Sequence, residues 1–264
     1  MPSTSSDEGL LEAAGRMPDH AYGLHVWSAN YPHRAICSRP GALMASSDLI
    51  YLTVRGKGGH GSAPHLALDP VPIVAEMITQ AQVMVAREFD IFDPVVVTCG
   101  KVVAGQAPNV IADTARAEFT LRAFKTATRN RLIERMRGLC QAVAQAHGAT
   151  CEVELVELYP VTENDPQEVA YVQRHVEEVF PGRWQEMEHP VGAAEDFSKI
   201  LQRIPGAFVF VSAIPEGEDH TTAAMNHSPN AIYDSARLVD CSTLLATLTL
   251  GRLTPASTDK NHTE

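Results

Sequence analysis

The chain has 264 residues, with 21 Lys and Arg against 32 Asp and Glu, which gives a formal net charge of −11. An acidic chain of this kind lacks the clustered cations that neutralise phosphates, so a nucleic-acid-binding protein is not expected. Its 45% hydrophobic content argues against wholesale disorder. No apolar run reaches the roughly 18 residues that a membrane helix needs, and the start does not read as a signal peptide. We therefore expect a cytoplasmic protein that does not contact a membrane.

The cysteines are odd in number and scattered, and no pair shows C-x-x-C spacing. This pattern is typical of free thiols in a reducing compartment rather than of a disulfide framework or a zinc knuckle. A buried cysteine mostly acts as a small hydrophobic residue, so no catalytic role is assigned to any of them. The cysteines concerned are Cys37, Cys99, Cys140, Cys151 and Cys241.

The middle of the chain gives the clearest structural pattern. Alternating or β-branched runs predict strands, and apolar residues at helical spacing predict two helices. The predicted order is strand 48–55, helix 70–86, strand 94–104, strand 115–124, helix 126–147 and strand 150–158. The order β-α-β-β-α-β is that of a ferredoxin-like unit, here placed at residues 46–157.

The flanks of this unit alternate between helix and strand. Their predicted elements are strand 21–27, helix 168–180, helix 197–201, strand 207–214 and helix 236–250. The sequence therefore predicts an α/β fold, in which residues 1–45 and 158–264 build a mixed sheet with helices. The ferredoxin-like unit interrupts this layer.

Two histidines stand out in the flanks. His25 lies at the end of a short apolar strand, where it fits either a metal ligand or a satisfied core residue. His227 lies in the loop Met225–Asn230 ahead of the last helix, and such ordered loops often carry functional residues. The alternative for His227 is a solvated loop histidine.

The most unusual segment is the glycine-rich loop Gly56–His65, which surrounds His60. Glycines let the backbone approach a ligand closely, but the spacing is not that of a phosphate-binding loop and no helix is predicted directly after it. A histidine held in such a loop could instead donate a hydrogen bond to a developing oxyanion.

Several further polar residues have two interpretations each. Glu195 and Asp196 are either second-shell acceptors for a metal-bound histidine or acids at a helix N-terminus. Arg122 lies on a strand and needs a partner, for which a substrate carboxylate is one candidate. Asn109 follows a proline and is a turn residue by default.

Taken in order, these segments resemble the metal-dependent aminoacylase and carboxypeptidase family, most closely the branch of hippurate hydrolase and the indole-acetyl-amino-acid hydrolases. The resemblance runs from about residue 7 to residue 252. The motifs that carry it are Gly23–Trp27, the Gly-Lys-Gly-Gly-His-Gly loop with Asp69-Pro70, Pro108–Ile111, Leu121-Arg122, Ala194–Ser198 and Asn226–Pro229.

The resemblance implies a catalytic α/β domain with two metal ions, zinc or manganese, and an inserted lid that forms a homodimer. By this resemblance, His25 and His227 match metal ligands, and His60 matches a lid histidine that stabilises the tetrahedral intermediate in the partner's active site. Asn109 and Arg122 match residues that hold the acyl or carboxylate end of an N-acyl amino acid. The metal would activate a water for attack on the amide carbonyl.

The chain also departs from the family pattern, because it lacks the Cys-Gly-His-Asp and Glu-Glu segments that supply further ligands and the general base. Two histidines alone are too few for a tight metal site. The resemblance therefore implies an N-terminally truncated member with doubtful metal occupancy. Three hypotheses stay open, namely an amidohydrolase completed from elsewhere, a non-catalytic dimerising remnant, and a plain ferredoxin-like ligand-binding module.

Overall fold

The computed structural model describes residues 10–13 and 15–253. Its helices are α1 (Leu10–Ala13), α2 (Pro70–Glu88), α3 (Thr126–Ala146), α4 (Pro166–Val179), α5 (Ser198–Leu201) and α6 (Arg237–Leu253). Its strands are β1 (Ala21–Trp27), β2 (Ile36–Ser38), β3 (Gly41–Met44), β4 (Ser47–Arg55), β5 (Gly59–His60), β6 (Val95–Ala104), β7 (Val110–Ile111), β8 (Thr114–Ala123), β9 (Thr150–Tyr159), β10 (Thr162–Asn164), β11 (Trp184–Glu186) and β12 (Gly206–Ser212). No helix in this described part of the chain is long and apolar enough to cross a bilayer.

The chain divides into two compact units. The lid unit comprises residues 44–162 and 190–199, and the flanking unit comprises the described parts of residues 1–43, 163–189 and 200–264. The sequence prediction placed the lid at 46–157 and the catalytic domain at 1–45 and 158–264, and this functional division stays a prediction. Residues 190–199 lie with the lid unit in the structure.

The lid unit confirms the predicted β-α-β-β-α-β order. Its antiparallel sheet has the strand order β6-β8-β4-β9, and α2 and α3 contribute to the same core. Strand β8 shows the alternation from which the strands were predicted. Alternate residues such as Phe119 and Leu121 are buried, while their neighbours are not. Helix α2 begins where the Asp69 side chain accepts a hydrogen bond from the Val71 N–H and Pro70 occupies the first turn.

A buried ion pair stabilises the lid unit. The carboxylate of Asp48 is fully buried and accepts hydrogen bonds from Arg129 Nε at 2.8 Å and Nη2 at 2.6 Å. Arg129 Nη2 also donates to Glu157, whose side chain is largely exposed. The fork geometry satisfies both oxygens of Asp48 at once, which a buried carboxylate requires.

The flanking unit contains a four-stranded sheet in the order β1-β12-β2-β11. Strand β1 is parallel to β12, and β2 is antiparallel to β12. Every residue of β12 is buried, as expected of a strand covered on both faces. Helices α4 and α6 contribute Val172, Val176 and Leu244 to the core of this unit.

The buried side chain of Asn164 joins three segments of the flanking unit. Its Nδ2 lies 3.0 Å from Ser38 Oγ and 3.1 Å from the Phe208 carbonyl oxygen, and its Oδ1 accepts from the Phe208 N–H at 2.7 Å. The short strands β2, β3, β10 and β11 were not predicted, because three or four residues are too few to show a period.

Candidate active site

His25 lies in β1 with its ring partly buried, and its Nδ1 is 2.7 Å from the carbonyl oxygen of Val26. A carbonyl oxygen can only accept, so Nδ1 carries the proton. In the neutral ring, Nε2 then keeps its lone pair. This is the tautomer in which a histidine can bind a metal through Nε2.

The loop that carries His227 is attached to the end of β1 by Asn226. Its Oδ1 accepts hydrogen bonds from Ser28 N at 2.8 Å and from Ser28 Oγ at 2.9 Å, and its Nδ2 donates to Val26 O at 2.8 Å. Val26 O is the same oxygen that His25 contacts. Val26 O is therefore contacted both by the His25 ring and by Asn226, the residue directly before His227.

His227 itself is exposed and has a φ of 70°. This left-handed conformation is uncommon outside glycine, although histidine adopts it more often than most residues. Ser28 Oγ also lies 2.8 Å from Ala224 O, and its single proton is donated either to this carbonyl or to Asn226 Oδ1. Either hydrogen bond attaches the loop to Ser28.

The donor set offered by this chain is incomplete for a metal centre. The two imidazoles fit two ligand positions of a zinc- or manganese-type site, given the free Nε2 of His25. Within residues 10–13 and 15–253, however, no group of three or more His, Cys, Asp or Glu side chains could hold an ion. Zinc sites in proteins usually have three or four protein ligands. The described residues therefore do not complete a metal site, and the assignment of His25 and His227 as metal ligands stays a prediction.

His60 has the opposite proton arrangement from His25. It lies in β5, is exposed, and its Nδ1 accepts from the Ser62 backbone N–H at 3.2 Å, with Ser62 Oγ at 2.8 Å. An amide N–H can only donate, so Nδ1 is the acceptor and Nε2 carries the proton. His60 thus presents an N–H donor, which is the group that stabilises a developing oxyanion.

Glycines fix the loop that presents His60. A Cβ on Gly56 would lie 2.1 Å from Leu68 O, so only glycine fits there. The Gly61 N–H donates to Asn109 O at 2.8 Å, and β5 pairs with β7 directly after Asn109. The structure therefore brings His60 and Asn109 together. The glycines are followed by a single 3₁₀ turn, Pro64–Leu66, and α2 starts only at Pro70, so no long helix begins at the loop to favour a bound phosphate.

A cleft of about 750 Å³ opens beside His60 within the lid unit. It combines apolar side chains with one acid and one arginine. Its wall includes His60, Val103, Val110, Ile111, Asp113 and Arg116.

Arg122 lies far from this cleft in the same copy of the chain. It is opposite Val96 in the sheet, and its Nη1 is buried without a hydrogen-bond partner among the described residues. The loop with His60 adjoins the other end of β8, at Thr114. At about 3.4 Å per residue, the two ends are more than about 25 Å apart. One lid therefore does not bring Arg122 together with His60 and Asn109.

Glu195 and Asp196 belong to the lid unit, whereas His25 and His227 belong to the flanking unit. They immediately precede α5, and the Ser198 hydroxyl donates to Glu195 O at 2.5 Å. Burial, together with the hydrogen bond and charge of Asp196, raises the pKa of Glu195 to about 7. Their placement agrees with acids at a helix start. A second-shell role stays a prediction.

The sequence interpretation missed three residues, namely Ser28, Ser62 and Asn226. Ser62 lies two residues from His60, so a local hydrogen bond could have been anticipated. Ser28 and Asn226 are 198 residues apart in the chain, and no local pattern indicates their contact.

Comparison with known proteins first defines the class. Residues 46–147 match the family model of the peptidase dimerisation domain found in M20 peptidases. The lid unit is therefore of the kind through which such peptidases dimerise.

Relatives then extend the match beyond the lid. Thermostable carboxypeptidase 2 of Saccharolobus solfataricus is 33% identical over 82% of this chain and 54% of its own length. The N-acetyldiaminopimelate deacetylase of Geobacillus sp. is 31% identical over 80% of this chain and 56% of its own length. The chain thus spans little more than half the length of these curated relatives.

Solved structures agree with the sequence matches. A Staphylococcus aureus protein assigned as an aminohydrolase is 28% identical, with a TM-score of 0.81 over 89% of this chain and 60% of its own. Bacillus subtilis YXEP, described as a dinuclear metal-binding peptidase of the M20 family, is 25% identical with a TM-score of 0.70, over 92% of this chain and 60% of its own. These findings relate the chain to the M20 family of peptidases and amidohydrolases. The narrower hippurate hydrolase branch is not singled out by them.

Proposed function

We propose that this chain forms most of a metal-dependent amidohydrolase that cleaves the amide bond of N-acyl amino acids or related small amides, as in the hippurate hydrolase branch. The observation that carries the proposal is the attachment of the His227 loop to β1 beside His25, whose Nε2 is free to bind a metal. One relative is by name a deacetylase of an N-acetyl amino acid, which supports the substrate class.

In this proposal each candidate residue has a separate task. His25 and His227 are two ligands of a zinc or manganese centre, which would lower the pKa of a bound water and make it a nucleophile. The Nε2–H of His60 donates to the oxyanion of the tetrahedral intermediate. Arg122 binds the substrate carboxylate, for which its unpartnered Nη1 is suited, and Asn109 binds the acyl end. Glu195 and Asp196 act as second-shell acceptors.

The proposal requires more than one copy of this chain. His60 and Asn109 lie at the opposite end of β8 from Arg122, so a second lid must supply one of the two sets to any single substrate. The match to a peptidase dimerisation domain supports a homodimer. The remaining metal ligands and the general base would come from family segments that this sequence does not contain.

A second candidate is a catalytically inactive homologue that dimerises or binds ligands without metal chemistry. It is favoured by the lack, within the described residues, of any group of three metal-binding side chains. The two candidates differ in whether His25 and His227 hold an ion at all.

A metal-binding experiment separates them. The purified chain is titrated with Zn²⁺ or Mn²⁺ and bound metal is measured at equilibrium, because an incomplete donor set does not retain an ion through desalting. Hydrolysis of a panel of N-acyl amino acids is assayed in the same samples. We expect bound metal in the parent chain and in His189→Ala, an exposed control, and loss of metal in His25→Ala and His227→Ala. Equal metal content in all four proteins would refute the metal-site proposal. The absence of bound metal from all four proteins would favour the inactive homologue.

We also propose a cytoplasmic location. All five cysteines are free, and Cys37 and Cys140 are fully buried with no partner sulfur. Free thiols of this kind are typical of a reducing compartment.

A further inference from the structure

We propose that Asn226 is a positioning residue that holds the backbone of His227 in the conformation needed to place its imidazole opposite that of His25. This inference rests on the proposed function, because it concerns the second candidate metal ligand. Nothing in the motif Asn226-His227-Ser228-Pro229 alone indicates such a role for the asparagine.

The side chain of Asn226 makes three hydrogen-bond contacts with the end of β1 and the residue after it. Asn226 Oδ1 accepts from both Ser28 N and Ser28 Oγ, and Asn226 Nδ2 donates to Val26 O. The amide therefore uses its acceptor and one donor on residues that flank Trp27. Contacts on two sides of one residue fix both the position and the direction of the loop.

His227 has a backbone conformation that must be held in place by its surroundings. Its φ of 70° lies in the left-handed region, where a residue with a Cβ is disfavoured. Such a conformation persists only when the surrounding structure holds it. The contacts of the Asn226 side chain with Val26 and Ser28, called the clamp below, lie directly before His227 in the chain. They are the attachment to β1 nearest to His227.

The clamp does not control the His25 ring. His25 Nδ1 makes its own hydrogen bond to Val26 O, independently of Asn226. Loss of the asparagine amide leaves that bond available. If Asn226 is a positioning residue, its loss should change the backbone conformation of His227 while the proton of His25 stays on Nδ1. A general disruption of the strand end would change both.

The test compares four variants of the full chain. Asn226→Ala removes the whole clamp, Ser28→Ala removes only the hydroxyl, and Ser28→Thr retains it. Asn230→Ala is the matched control, because Asn230 is exposed in the same loop and its recorded bond uses the backbone N–H. Zn²⁺ affinity is measured by competition with a chromophoric chelator, and the His25 tautomer by long-range ¹H–¹⁵N NMR.

We expect Asn226→Ala to weaken Zn²⁺ binding about 10-fold or more, within the range seen when outer-shell partners of metal ligands are removed. Ser28→Ala should weaken it by less, and Ser28→Thr and Asn230→Ala should stay within about twofold of the parent. The His25 proton should remain on Nδ1 throughout. Unchanged affinity in Asn226→Ala, or a displaced His25 proton, would overturn the positioning role.

A metal-free measurement separates this inference from the proposed function. If the parent chain binds no Zn²⁺, the proposed function fails, and the clamp is then judged by amide hydrogen exchange at Ser28 and residues 224–228. Exchange should accelerate at least about 10-fold in Asn226→Ala but not in Asn230→Ala, since an amide that loses its acceptor exchanges after smaller openings. Equal exchange in the two variants would show that the asparagine does not hold the loop.

Discussion

His25 in the flanking unit and His60 in the lid unit have the same side chain, but they present opposite groups. The Val26 carbonyl keeps the proton of His25 on Nδ1 and leaves a lone pair at Nε2. The Ser62 amide N–H keeps Nδ1 of His60 unprotonated, which leaves an N–H at Nε2. The first arrangement suits a metal ligand and the second suits a hydrogen-bond donor to an oxyanion.

The group that each histidine presents therefore depends on the backbone atom that forms a hydrogen bond with its Nδ1. Both partners lie within two residues of the ring they control. Both units contain buried polar groups with several partners. The lid has the ion pair of Asp48 and Arg129, and the flanking unit has the buried carboxylate of Glu168, paired with Arg252, as well as the neutral amide of Asn164.

The largest loss of folding stability is expected from Arg129→Met in the lid. The substitution leaves the fully buried Asp48 carboxylate without its cation, which typically costs about 3–5 kcal/mol. Urea unfolding followed by far-UV circular dichroism measures the loss. The control is Lys101→Ala, whose ion pair with Glu118 is exposed and contributes less than about 1 kcal/mol. Similar losses in the free energy of unfolding of both variants would show that the buried ion pair contributes no more than the exposed one.

The corresponding change in the flanking unit is Asn164→Ala, with an expected loss of about 2–3 kcal/mol. The reason is that the buried Phe208 N–H loses its acceptor and Ser38 loses a donor. Glu163→Ala is the control, because Glu163 is the exposed residue of the same strand. A loss in Asn164→Ala as large as that of Arg129→Met would show that this neutral amide contributes as much as the buried ion pair.

A smaller effect is expected in the loop that presents His60. Gly56→Ala would place a Cβ 2.1 Å from Leu68 O, and the necessary shift should cost about 1–3 kcal/mol. Gly138→Ala is a matched control in α3, where no atom lies within 4 Å, and it should stabilise by about 1 kcal/mol. Thermal unfolding measures both. Stabilisation by Gly56→Ala would contradict the close approach at this loop.

The smallest effect concerns the pH dependence of Glu195. Its pKa is raised from 4.5 to about 7 in the folded chain, chiefly by burial, so the folded state binds a proton that the unfolded state has released. Stability should therefore fall as the pH rises from about 4.5 to 7.

Glu195→Gln should remove this dependence and stabilise the chain at pH 8 by about 1 kcal/mol, since the half-buried carboxyl is partly screened by solvent. Urea midpoints at pH 5 and pH 8 measure it, with the exposed Glu216→Gln as control. An identical pH profile for Glu195→Gln and the parent would contradict the raised pKa.

The lid was predictable from sequence because α2 and α3 are long and carry clear apolar periods, with Ile73, Met77, Met84, Leu132 and Met136 buried. The short strands were not, since a three-residue strand such as β11 has no period. His25 and His227 were proposed as metal ligands from motifs, and this assignment stays a prediction. The hydrogen bond from Asn226 to Val26, which attaches the His227 loop to β1, could not be predicted, because it joins residues 200 positions apart in the chain.

The most direct test of the account is a Zn²⁺ titration of the full chain followed by long-range ¹H–¹⁵N NMR of its histidine rings. Before metal, we predict a proton on Nδ1 of His25 and on Nε2 of His60. On titration, the ring resonances of His25 and His227 should change together, while those of His60 stay unchanged. A proton on Nε2 of His25, or a response of only one of the two flanking-unit histidines, would contradict the account.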